Sequence, residues 1–141
     1  MTDPITPLMQ GAPLPAVDDP EGEGLPADLP PVIDAHVHVF PDPVWPAVHR
    51  WFDEHAWPLR YRMRSPEIVR FLLSRGVEAV VALQYAHRPG LAREMNAHMA
   101  ALCKAEPRVI GLATAYPGEP DAEAILAGNA RRFYGLERTS K

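Results

Sequence analysis

The stretch V-I-D-A-H-V-H-V-F, Val32 to Phe40, decides how the rest of the chain is read. Apolar and β-branched residues dominate it, so it reads as a strand. Yet Asp34, His36 and His38 recur at alternate positions. Strand side chains alternate with period two. These three are therefore expected on one face, with Ile33, Ala35, Val37 and Val39 on the other, packed under helices. Unpaired polar groups in an apolar sheet would cost about 1–3 kcal/mol each. A divalent ion would compensate. Histidines at i and i+2 have Cα atoms ~6.6 Å apart, and their imidazoles can converge on one ion at ~2.1 Å per bond. Asp34 would be a further ligand, would orient one imidazole, or would shape the polar face of the strand. The competing reading is a hydrogen-bonded histidine pair without metal. An apolar strand with an aligned carboxylate favours the metal.

Downstream, strands alternate with helices. Val32–Val39 is strand one. A Pro-rich loop leads to a helix over 46–56, with Val48, Trp51, Phe52 and His55 on one face. Ser65-Pro66-Glu67 starts a second helix, with Ser65 as N-cap, and Gly76 ends it. Val77–Gln84 is strand two. A helix over 91–106 buries Leu91, Met95, Met99 and Leu102, and Val109–Tyr116 is strand three. A last helix covers roughly 121–134, and Ile125, Leu126 and Phe133 on it are expected to fold back over one sheet face. This alternation means βαβ units and a parallel sheet, an α/β fold.

Upstream of the strand the text is different. Residues 1–31 hold eight of the 17 prolines, six acids and no Lys or Arg. Such a segment buries too little to offset its ordering entropy and reads as a disordered leader. Residues 32–141 form the βα domain. At 141 residues the chain suits one compact unit. A net charge of −4 gives no reason to expect a nucleic-acid or anionic-membrane partner. One cysteine, Cys103, excludes a disulfide framework, and no apolar run reaches membrane-spanning length. A cytoplasmic protein acting on a small molecule is expected.

V-I-D-A-H-V-H (32–38) resembles the first-strand signature of the amidohydrolase superfamily. V-V-A-L-Q-Y-A-H-R-P-G (80–90), L-A-R-E-M-N (91–96), P-R-V-I-G-L-A-T-A-Y-P-G-E-P (107–120) and I-L-A-G-N-A-R-R-F-Y-G-L (125–136) resemble its amidohydrolase-related branch in order and spacing. The resemblance implies a TIM-barrel, metal-dependent hydrolase attacking a C–N or C–O bond, or a decarboxylase of the same family. It implies His36 and His38 as metal ligands, zinc as the first choice of metal, and manganese or iron as alternatives. A complete barrel needs eight βα units and ~250 residues, whereas this text supplies about three. An incomplete barrel that binds metal without turnover, and that self-associates through its open sheet, is therefore a further expectation.

Other residues weigh less. His87 and Tyr85 follow strand two, where barrel loops contact substrate, although an exposed loop histidine is an ordinary feature. Glu119 and Asp121 are further ligand candidates. His55 reads as a packed histidine with a partner, His98 as solvated or packed, and Cys103 as a small packing residue. Arg60, Arg62 and Arg64 read as a solvated edge rather than an anion grip. Trp45, Trp51 and Trp57 serve either as an apolar lid or as loop core.

Overall fold

A computed structural model describes residue 16, residues 18–119 and residues 122–136. Within these, β1 (Val32–His38) leads through a 3-10 turn (Asp42–Val44) into α1 (Trp45–His55) and α2 (Ser65–Ser74). β2 (Val77–Leu83), α3 (Ala92–Ala105) and β3 (Val109–Gly111) follow. A π-helical turn (Ala124–Gly128) then runs into α4 (Asn129–Tyr134). The strands form one parallel sheet in the order β1-β2-β3. The fold is therefore an α/β unit with an incomplete parallel sheet; three strands do not close a barrel.

Parallel neighbours need a crossover, and both crossovers cover the same face. Val69 of α2 and Met99 and Leu102 of α3 share one buried cluster with Val37, Val39, Val77, Val80, Ala82 and Val109. Among the described residues, the opposite face carries no such layer. Ile33 and Ile110 are each 52% exposed and Leu112 is 49% exposed. Gly111 lets α3 come close. A Cβ there would lie 2.6 Å from both Cys103 Sγ and Met99 Cγ. Cys103 packs against the core, as a small residue should.

The register along β1 departs from simple alternation. Val32 pairs with Val77, Ile33 with Ala79, Asp34 with Val80, Val37 with Ala82 and His38 with Leu83. Glu78 is thus extra on β2, and Ala35 and His36 together oppose Val81 on β1. Each is a β-bulge, and the second undoes the shift made by the first. The expected faces are corrected accordingly. Ile33 and Ala35 do not join Val37 and Val39 under the helices: Ile33 and Ala35 are exposed, whereas Val37 and Val39 are buried. Asp34 falls in register with buried Val80, on the helix side, and not on the face of His38.

Ser65 also differs from expectation. It is fully buried and does not cap α2. Its hydroxyl accepts the Phe40 N–H at 3.0 Å and donates to the Phe40 carbonyl at 2.7 Å. The capping contact comes instead from Glu67, whose carboxylate accepts the Arg64 N–H at 2.7 Å. Ser65 thereby fastens the chain leaving β1 to the start of α2. Gly76, at φ 96°, ends that helix as expected.

Strand three is shorter than the expected 109–116. Leu112 adds one more bond to Ala82. The chain then leaves the ladder for a side chain: Asn96 accepts the Thr114 N–H at 2.8 Å and donates to the Thr114 carbonyl at 2.9 Å. The closing helix also behaves differently from expectation, since Phe133 is 83% exposed and covers no sheet face. Residues 18–31 contain no helix or strand and are exposed. They are nonetheless tethered: Leu25 N–H donates to the Arg75 carbonyl, and Glu21 meets Tyr61, Arg60 and Arg75.

Ser65→Ala removes both bonds to Phe40 and leaves that buried peptide unpaired. Denaturant unfolding should show a loss of about 1–3 kcal/mol. Gly111→Ala forces α3 outward and should lose about 1–3 kcal/mol in the same measurement. Unchanged midpoints would contradict these roles.

Candidate metal centre

The bulge at Ala35–His36 positions the two histidines. Because two residues of β1 oppose one of β2, His36 no longer alternates with Asp34. Its ring reaches that of His38, with Nε2 to Nε2 at 3.2 Å and ring centroids 5.0 Å apart. Both residues are exposed. Asp34 Oδ1 accepts the His36 backbone N–H at 3.1 Å. Asp34 thus bonds to the strand backbone rather than to an imidazole nitrogen, and it holds the bulge closed.

The pair can be tested against a metal on its own geometry. Two imidazole nitrogens bound to one ion at ~2.1 Å in a tetrahedron lie about 3.4 Å apart. The observed 3.2 Å matches this and equally suits an N–H···N hydrogen bond between neutral rings. The donors present thus fit two positions of a metal site. Among the described residues, no group of three or more His, Cys, Asp or Glu side chains surrounds a common point.

His38 has an aromatic backing. Its ring stacks on Phe40 (6.1 Å, 4° between planes) and meets Tyr85 edge-on at 5.8 Å. Phe40 in turn meets Trp45 at 5.2 Å. This desolvation, with the neighbouring His36 charge as the lesser cause, holds the His38 imidazole below its ordinary pKa. Burial also lowers the pKa of His98, with Asp42 acting weakly the other way.

Tyr85 and His87, read as possible substrate contacts, lie beside the same groove. They line an apolar groove of ≈ 450 Å³ with Phe40, Val48, Trp51 and Phe52. Tyr85 and Phe40 belong both to the groove and to the surroundings of His38. The three tryptophans divide: Trp45 is buried beside Met95, Trp51 walls the groove, and Trp57 is 65% exposed. Glu119 does not approach the histidines through its recorded bond; its carboxylate accepts the Gly90 N–H. Asp121 lies outside the described residues. His55 is exposed and stacks on Trp51. Arg60, Arg62 and Arg64 pair with Glu21, Asp53 and Asp42, as a solvated edge does.

Two features escaped the sequence. Asp34, Ala35 and His36 form a bulge that period-two counting cannot register. Gln84 is buried at the end of β2, with neither side-chain amide atom hydrogen-bonded. A polar residue closing an apolar strand was its one signal. No family model, curated protein or solved structure matches this chain.

The two depressed histidines set a pH dependence. Each is held neutral in the fold, so the unfolded chain takes up protons first as pH falls through ~6.5. Stability should therefore fall between pH ~7.5 and ~5.5 and level off above pH ~7.5. Denaturant midpoints at several pH values check this, and a midpoint rising on acidification would refute it.

Proposed function

We propose that this chain is a metal-dependent hydrolase unit of the amidohydrolase type, with His36 and His38 as the ligands it contributes. The 3.2 Å approach of the two Nε2 atoms at the C-terminal end of a parallel strand carries this reading. Active groups in parallel α/β sheets gather at that end. The resemblance of residues 32–38, which includes the same two histidines, to the amidohydrolase first strand points the same way. Zinc is the proposed ion, since it accepts imidazole and a low coordination number.

When bound, such an ion supplies a water acidified toward pKa ~7 and polarises a carbonyl. The residues of the chain divide the remaining work. His36 and His38 present their Nε2 atoms together, and Asp34 fixes the backbone that aims them. Phe40 and Tyr85 exclude water from one side of the His38 ring. The groove between Tyr85, His87 and Trp51 takes an apolar portion of a small substrate whose C–N or C–O bond lies toward His38. Tyr85 and His87 hold that substrate in position.

Equilibrium dialysis against zinc tests the ligand assignment. The intact chain should take up zinc, and His36→Ala with His38→Ala should abolish uptake. The same stoichiometry in the double variant would overturn the assignment. Asp34→Ala should retain both imidazoles but release the bulge, lowering affinity roughly 10–100-fold, the usual effect of losing a group that orients ligands.

A further inference from the structure

We propose that Thr114 is a positioning residue for the groove: its hydroxyl holds the peptide that joins Tyr85 to Ala86, and through it the Tyr85 ring against His38 and the groove wall. The ladder bonds of β2 end before this peptide. The Ala82 and Leu83 carbonyls accept the Leu112 and Val39 N–H groups. Gln84 follows, and its buried side-chain amide makes no hydrogen bond. The next anchor is a side chain from the segment beyond β3: the Thr114 hydroxyl accepts the Ala86 N–H at 3.0 Å. Thr114 is itself buried, and the Asn96 amide grips both its N–H and its carbonyl. α3 therefore fixes the hydroxyl in place before it meets Ala86.

Tyr85 depends on that anchor. It is 49% exposed, and its ring meets its neighbours only edge-on, 5.8 Å from His38 and 5.3 Å from Phe40. A tyrosine ring is separated from its backbone by two torsions with few staggered choices, so a fixed peptide confines the ring. Ala86 also packs against the cluster of Phe40, Trp45 and Met95, which joins the same peptide to the floor of the groove. The far end of the loop is held separately, where the Glu119 carboxylate accepts the Gly90 N–H. Thr114 thus governs the end that carries Tyr85 and His87, and Glu119 the end next to α3. Thr114 does not line the groove; it acts through Ala86. The bearing of this contact on a substrate rests on the proposed function, whereas the anchoring itself does not.

Nuclear magnetic resonance on the full, metal-free chain tests this. In the intact chain the Ala86 amide should be protected from hydrogen exchange, and the Tyr85 ring should show a nuclear Overhauser contact to the His38 ring. An unprotected Ala86 amide would overturn the proposal even where no variant folds. Thr114→Val keeps the shape of the side chain and removes the acceptor. It should speed exchange at Ala86 roughly 2–10-fold, the worth of one hydrogen bond, and weaken the Tyr85–His38 contact. It should also weaken binding of toluene, an apolar probe of the groove followed at the Trp51 indole N–H, by a similar factor. Thr114→Ser keeps the hydroxyl and should behave as the intact chain does. An unchanged ring contact or toluene affinity in Thr114→Val, or the same losses in Thr114→Ser, would overturn the assignment. Because these measurements involve no metal, failure of the intact chain to take up zinc would overturn the proposed function alone and leave the role of Thr114 standing.

Discussion

The β-bulge at Ala35–His36 is the constraint from which the geometry of the site follows. A regular strand would carry Asp34, His36 and His38 on one side. With two residues opposing Val81, Asp34 turns toward the helices and the two histidines meet on the open side. The Asp34 carboxylate accepts the His36 backbone N–H. The carboxylate thus serves the histidines through the main chain.

Ser65 and Asn96 act in a similar manner where the chain leaves β1 and β3. Each uses one side chain to bond both the N–H and the C=O of a single peptide residue, Phe40 or Thr114. Both residues lie just beyond the strand ends, where ladder partners run out. Buried peptide groups must be paired, so a helix side chain stands in for an absent strand. This fixes the Phe40 ring, and Phe40 in turn backs His38.

Much of the architecture was legible in the sequence, because it depends on local periodicity. Met95, Met99 and Leu102 fall at helical spacing and are buried. Val77–Leu83 is a strand because β-branched residues fill it, and Gly76 stops α2 because it alone tolerates φ 96°. The histidine pair was visible as a motif. What was not legible depends on partners distant in the chain. The bulge is a property of two strands in register, not of one. Ser65 looks like a cap until Phe40, 25 residues earlier, is placed beside it. Strand three was read too long because its apolar text continues after its ladder partner has ended.

The strap formed by residues 18–31 has a different kind of attachment from the sheet it borders. Its side-chain anchor is ionic: Glu21 reaches Arg60 and Arg75, and its carboxylate is held below the usual range chiefly by the Tyr61 hydroxyl. Such exposed contacts are screened by dissolved ions, whereas burial of Val80 and Met99 is not. Ionic strength therefore acts on the two parts unequally. In concentrated salt the strap loosens while the sheet and its helices persist, so the chain holds two zones of unequal opening free energy. A protease would find the N-terminal zone first, and would find it sooner in brine than in dilute buffer.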